Sequence, residues 1–400
     1  MESSVFRRNC LIVLGMLSVA GLCFPAGPQA PAGQDAGGAA EKDSASGNGG
    51  QEWPLASVKL GVLLDGYYSA NFNRPESGRN QLRNFDVSSH ALSLNMAKLV
   101  LESPAEPLGF RMDLGFGRAL ELIHGAESSP EIMRHVLQAF VTYRPAKDGG
   151  LTLDFGKFVT AAGAEVIETN SNWNYSRSLL FALAIPYYHF GVRATAPLGR
   201  YFNGGVAVVN GWNNVEDNNR GKTVGIFGTL SGARVSWTNC YYGGPEKPGV
   251  SQGWRHLYDT TLLLTPHSRA SMYVNFDYGR EGVATVRRDG ADLGLPGGRW
   301  VGVAGAARLA VNRWFALAPR VEWFHDADGL STGTAQKLKE FTLTGEFKLA
   351  PGVITRVEFR RDWSNQPFFE RRAGEPLSKQ QSTVLVGLLA FFGVDNRVSK

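Results

Sequence analysis

The stretch ASMYVNFDYG, Ala270–Gly279, sets Ala270, Met272, Val274, Phe276 and Tyr278 against Ser271, Tyr273, Asn275, Asp277 and Gly279. A period of two belongs to an extended strand, whose successive side chains leave opposite faces. Before it stands a short turn, TPHSR (265–269), and after it a long polar segment, 279–299. The same contrast recurs in Phe110, Met112, Leu114 and Phe116 against Arg111, Asp113, Gly115 and Gly117. It recurs again in Val58, Leu60, Val62, Leu64, Tyr68, Ala70 and Phe72 against Lys59, Asp65, Ser69, Asn71 and Asn73. Parity breaks around Met96–Lys98 within Leu92–Leu101, which predicts a β-bulge.

Alternation alone also suits a soluble sandwich, so the joins between segments decide the fold. Short turns stand at 103–109, 145–150, 197–200, 230–233, 265–269, 311–313 and 350–352. Between them come long polar loops at 73–88, 118–134, 159–187, 211–222, 243–254, 279–299, 325–338 and 363–380. A sandwich has no reason to gather its long loops at one end. A transmembrane antiparallel β-barrel has one, with short periplasmic turns and long external loops. The segments number about 16, an even count with both ends on the periplasmic side. The expected fold class is therefore all-β, a transmembrane barrel.

Composition agrees. The chain is 43% hydrophobic and 11% aromatic with 48 Gly. After the first 25 residues no stretch approaches the roughly 18 apolar residues that a spanning helix needs. The formal charge of +5 is small for 400 residues, and Lys/Arg alternate with Asp/Glu, so nucleic-acid binding has little support.

The N-terminus reads as a cleaved signal peptide over 1–26. Arg7 and Arg8 precede the apolar run Cys10–Phe24, and Ala26 and Ala32 are candidate cleavage sites. Leu22 before Cys23 argues against lipidation. Residues 27–52, rich in Gly, Ala, Pro and Ser, suit a flexible periplasmic linker or a longer propeptide. The barrel is expected over 53–400. Cleavage would leave Cys240 as the one cysteine, without a disulfide partner.

The loop at 159–187, VTAAGAEVIETNSNWNYSRSLLFALAIPY, exceeds an ordinary connection. Its Trp173, Tyr175, Leu179, Leu180, Phe181, Leu183 and Ile185 need burial, which predicts that it folds into the barrel. Glu165, Glu168, Asn170, Asn172, Asn174 and Arg177 are its candidate constriction residues. Parity sends Arg111, Asp113, Arg308, Arg320, Glu322, Arg356, Glu358, Arg360 and Asp362 inward, with Val321, Trp323, Val357 and Phe359 outward. A charge facing lipid near the midplane costs about 2–4 kcal/mol, which selects that register. Facing the loop, the inward Arg row would set a transverse field that orients polar solutes. The same Arg/Glu pairs would equally brace the wall as a salt-bridge ladder, and the loop could instead be an external lid or an oligomer latch. Tyr143, Tyr201, Phe202, Tyr241, Trp254, Trp300, Trp314 and Trp363 lie near segment ends, where interfacial aromatic girdles belong.

The chain resembles the OmpL-like β-barrel porins of Gram-negative outer membranes. The resemblance rests on DFGKFVTAAGAEVIE (154–168), NYSRSLLFALAIPYYHFGVR (174–193), VNGWNNVEDNNRGKT (209–223), PRVEWFHDADG (319–329) and VITRVEFRRDWSNQPFFE (353–370). It implies an outer-membrane channel with no defined substrate. One departure is the end of the chain, where GVDNRVSK follows Phe392 in place of a terminal aromatic.

Other chemistries find little footing. DADG (326–329) and NNVEDNN (213–219) lack full calcium-loop spacing and read as turns. His189 should point inward and bond a loop backbone. There is no GxSxG element and no zinc spacing, and GFGRAL (115–120) is no dinucleotide fingerprint. No metal, cofactor or enzymatic activity is expected. The leading reading is a passive channel for small hydrophilic solutes or ions. Its partners would be outer-membrane lipid and the barrel-assembly machinery, with a homotrimer as one assembly. Against it stand an outer-membrane phospholipase and a structural or adhesive barrel whose external loops bind a partner.

Overall fold

The computed structural model describes residues 58–393 apart from 126, 128–130, 146–149 and 289–290. The expected signal peptide, the linker, residues 53–57 and the tail 394–400 lie outside the described residues. β1 (Lys59–Asn71) pairs with β2 (Ala91–Ser103). The ring continues through β3 (Leu108–Phe116), β4 (Val136–Tyr143), β5 (Thr152–Val159), β6 (Tyr188–Pro197) and β7 (Phe202–Val209). Next come β8 (Thr223–Ser231), β9 (Val235–Gly244), β10 (Arg255–His267) and β11 (Ala270–Glu281). After a separate hairpin, β12 (Ala284–Arg288) and β13 (Ala291–Leu295), the wall resumes with β14 (Gly298–Ala310). It ends with β15 (Phe315–Asp326), β16 (Gln336–Ala350), β17 (Val353–Ser364) and β18 (Gln380–Phe392). β18 pairs with β1 from Phe392 opposite Val62 to Thr383 opposite Asn71, which closes the sheet.

The wall is thus a closed antiparallel barrel of 16 strands. The hairpin β12–β13 within the sixth long loop is a feature that the alternation does not announce. Two short helices also sit in loops, α1 (Arg118–Ile123) in the second and α2 (Leu179–Leu183) in the third.

Alternation along each strand sorts side chains between lipid and lumen. In β1, Leu60, Leu64 and Tyr68 are exposed outward, while Asp65, Ser69 and Asn71 are buried inside. In β11, β15 and β17, exposed Val274, Val321 and Val357 alternate with buried Asn275, Glu322 and Glu358. The expected irregularity is present. Register shifts between Asp65 opposite Met96 and Gly66 opposite Leu94, leaving Asn95 as the extra residue. Its Nδ2 donates to Asp65 Oδ2 at 2.6 Å, so the bulge adds a polar inward group.

Exposed aromatics at strand ends include Tyr143, Phe202, Tyr241, Trp254 and Trp314. Trp300 departs from that girdle. It shares inward parity with Gly302 and Ala304, is 2% exposed, and donates its indole N–H to Ala184 O at 3.2 Å. The wall is also uneven: β4 to β9 have 8–10 residues each. The strands β10, β11 and β14 to β18 have 12–15.

The candidate channel lumen

A loop inside a closed barrel has no sheet partner, so its backbone groups need other acceptors and donors. The third loop finds them on the inner face of β15 to β18. Glu358 accepts from Tyr175 N at 2.7 Å and Ser176 N at 3.0 Å. Glu322 accepts from Leu179 N and Leu180 N at 3.0 and 3.3 Å, serving amides that the first turn of α2 leaves open. The Ser178 hydroxyl caps the same turn through Phe181 N at 3.0 Å, and Glu165 accepts from Ser178 N at 2.6 Å.

Arginines treat the carbonyls in the same way. Arg356 donates to Thr169 O, Asn172 O and Asn174 O at 2.5–3.0 Å. Arg320 donates to Ser176 O at 2.8 Å, and Arg360 to Arg177 O at 2.5 Å. The loop also reaches β1, where Asp65 accepts from Tyr175 Oη and Thr169 Oγ1, both at 2.5 Å. Two glycines make room for this approach. A Cβ at Gly302 would lie 2.8 Å from Leu180 Cδ1, and one at Gly387 would fall on the Tyr175 ring.

The inward charges beneath the loop are therefore covered rather than bathed. Arg320, Arg356 and Arg360 are each at most 1% exposed, and Glu322, Glu358 and Asp362 are also buried. The loop carboxylate Glu165 does not stand off from the Arg row but touches it, Oε1 lying 2.8 Å from Arg320 Nη1. The physical reason is desolvation. Once water leaves the space between loop and wall, isolated charges become expensive and must pair. Arg320 is shared with Glu322 and Glu340, and Arg356 with Glu346, whose other oxygen holds Arg308.

The remaining loop residues brace the loop itself. Asn172 bonds Val166 N, Val166 O and Glu168 O, and Arg177 donates to Val166 O, Tyr175 O, Ile167 O and Thr169 Oγ1. Asn174 ties to Ala318 O and Thr344 Oγ1, and Asn170 is buried. Glu168 keeps partial access to water and pairs with Lys98 at 2.7 Å, which also reaches Asp113 at 3.2 Å. Arg111 joins Asp113 and Glu102. His189 bonds Gly211 O at 2.9 Å.

Sequence parity missed the first loop altogether. Arg83 reaches inward to Asp362 at 2.7 Å and to Asp86 at 2.7 Å, and Phe85 packs edge-on against Phe181. Glu340 and Glu346 had a signal, since they share inward parity on β16. Arg83 had none.

Water-accessible inner surface lies against the lower wall. Thr229, Thr238 and Thr261 form a cross-strand row on β8, β9 and β10, with Thr229 and Thr238 hydroxyls 3.0 Å apart. Thr142, Thr152 and Thr195 continue the hydroxyl lining, interrupted by Arg193, which grips Asp154 at 2.8 and 3.0 Å. Val166 and Ser171 are exposed on the loop edge, and Trp173 is half-buried. A cavity of about 200 Å³ lies between that edge and Thr261, Leu263 and Tyr273.

The fold has solved counterparts. The outer membrane channel DcaP of Acinetobacter baumannii matches with TM-score 0.55 and 11% identity over 84% of this chain and 97% of that one. The anion-selective porin from Comamonas acidovorans matches with TM-score 0.53 and 12% identity over 84% and 99%. OmpT of Vibrio cholerae, in its trimer form, matches with TM-score 0.53 and 11% identity over 84% and 99%. At these identities the likeness concerns the fold alone. Among curated proteins no sequence matches. A family model described as putative beta-barrel porin-2, OmpL-like, matches residues 57–392. With that match spanning the whole barrel, the chain belongs to this family of OmpL-like porins, channel-forming β-barrels of the outer membrane.

Proposed function

We propose that small hydrophilic solutes and ions cross by passive diffusion between the exposed edge of the third loop and the hydroxyl-lined wall of β8 to β11, with the loop as the constriction. The observation that carries this reading is the asymmetry of the lumen. One wall is sealed by the loop, while inward Thr229 and Thr238 opposite it retain contact with water. Threonine hydroxyls donate and accept, so they can exchange hydrogen bonds with a passing solute without holding a charge. The role is transport rather than catalysis.

Planar bilayers test it. The purified barrel gives stepwise conductance, and Ser171→Cys makes each step smaller after reaction with a charged thiol reagent. The buried Cys240 serves as the unreactive internal control. Steps unchanged by modification would remove the loop edge from the path, and a silent barrel would remove the channel.

The low wall of β4 to β9 is the side we assign to contact with two further copies in a homotrimer, within outer-membrane lipid and after insertion by the barrel-assembly machinery. Exposed Val141, Phe155, Val192, Val206, Val224 and Ile226 give that side an apolar face. The trimer form of OmpT supports this reading. Crosslinking between copies through Val206→Cys checks it.

A further inference from the structure

At the outer mouth, the end of the third loop meets the fourth and seventh loops and the first residues of β10 and β14. Together they enclose a cavity of about 170 Å³. Its apolar side is formed by Trp212 and Trp300, set edge to face with centroids 6.2 Å apart, and by Ile185. A void of roughly 150 Å³ lined by apolar side chains is enough for one benzene ring.

Its polar side presents donors. The Arg255 guanidinium lies 4.9 Å from the Trp212 ring centroid, and its Nε and one terminal nitrogen are held by Glu281. The other terminal nitrogen has no partner among the described residues. Asn213 has its carbonyl oxygen occupied by Tyr187 N at 2.7 Å and Tyr188 N at 3.3 Å, which leaves its NH2 to donate. That residue is held at φ 56, a left-handed conformation that costs energy for any residue but Gly and that the two amides enforce. The Ser331 hydroxyl lines the same cavity without a partner among the described residues. Lys247 also binds Glu281, at 2.6 Å, so two cations share one carboxylate.

We propose that this mouth is a binding site for a planar carboxylate carried on a single ring. The ring would lie in the cavity against Trp212, Trp300 and Ile185, and the carboxylate would accept from Arg255, Asn213 and Ser331. A neutral sugar suits the cavity less well, because its several hydroxyls need acceptors, and the Asn213 carbonyl oxygen and the Glu281 carboxylate are already engaged. The site rests on the channel reading in that it names the solute class met at the outer end of the path.

Tryptophan fluorescence of the detergent-folded full chain, titrated at pH 6, gives the test. Benzoate is the probe, with benzyl alcohol supplying the ring without charge and acetate the charge without ring. Benzoate is expected to act saturably at concentrations at least tenfold below either. Trp212→Ala should raise that concentration tenfold or more, and Arg255→Lys, which keeps the charge but loses the planar fork, severalfold. Equal action by benzyl alcohol, no saturation, or indifference to both variants would overturn the site. If Trp212→Ala does not fold, as read from heat-dependent gel mobility, Arg255→Lys alone decides. Current in bilayers separates the two readings. A conducting barrel that ignores benzoate overturns only the site, and a silent barrel that binds it overturns only the channel.

Discussion

Arg320 Nη1 and Glu165 Oε1 lie 2.8 Å apart, with 0% and 4% of their side chains exposed. One residue belongs to β15 and the other to the third loop, so this pair joins wall to loop in a space that water has left. Arg320 is also the shared cation of Glu322 and Glu340. Replacing it takes the cation from three carboxylates at once, of which Glu340 keeps a second one, Arg360 at 3.7 Å.

Arg320→Met should therefore cost about 3–5 kcal/mol, the range for breaking a buried ion pair on one side only. The loop is the part able to move, since the barrel wall keeps its strand pairing. Single-channel steps are expected to grow and the loop to become open to added protease. Arg320→Lys restores the charge but not the forked donation to Ser176 O and Ser176 Oγ, and should fall between. Wild-type steps and wild-type resistance in Arg320→Met would show that the clamp holds nothing.

The close packing of the loop has an independent handle at Gly387. A methyl group there meets the Tyr175 ring, whose hydroxyl bonds Asp65. Gly387→Ala should destabilise by about 1–3 kcal/mol through overpacking and lower the temperature at which the folded band is lost on gels. Gly305→Ala makes the control, because its added carbon comes no nearer than 3.9 Å to another residue. Equal behaviour of the two variants would place Tyr175 elsewhere.

The barrel was legible because its information is periodic. Val274 and Asn275 differ in face by their position in a strand, and a run such as TPHSR ends a strand wherever it stands. Even the bulge at Asn95 shows as a lapse in parity. The seal has no such period. Glu358 accepts amides of Tyr175 and Ser176, far away in the chain, and Arg83 reaches Asp362 from a loop with no strand register at all. Residue types at 165, 320 and 356 told that charges enter the barrel. Whether water or a peptide carbonyl would meet them depends on how deeply the loop sinks, which local sequence does not encode.

Ion preference follows from the pairing of charges that still meet water. Arg193 is neutralised by Asp154, and Arg111 by Glu102 and Asp113. Paired charges leave a weak net field, so the reversal potential in a salt gradient should lie close to zero for wild type. Arg193→Gln uncovers Asp154 on the inner wall and should shift the reversal potential toward cation preference. A shift toward anions, or none, would mean that ions do not pass this wall.

Glu246, in the loop between β9 and β10, supplies a pH dependence. It accepts from Trp212 N at 2.8 Å and from Thr223 Oγ1 at 2.5 Å in a buried position. Burial pushes its carboxyl up to about 7, a rise that these bonds and Arg255 only partly offset. A carboxyl raised in the folded state holds its proton where the unfolded chain has lost it. Stability from this group is therefore full below pH 4.5 and declines as pH rises toward 7. The whole interval corresponds to about 3 kcal/mol, an upper figure for a local opening. Hydrogen exchange of the amides around Trp212 should accelerate between pH 5 and 7 beyond the intrinsic base catalysis of exchange. Glu246→Gln, which resembles the protonated acid, should remove the excess. If the variant keeps the same excess, the opening belongs to another group, and the Trp212 loop is not held by this carboxyl.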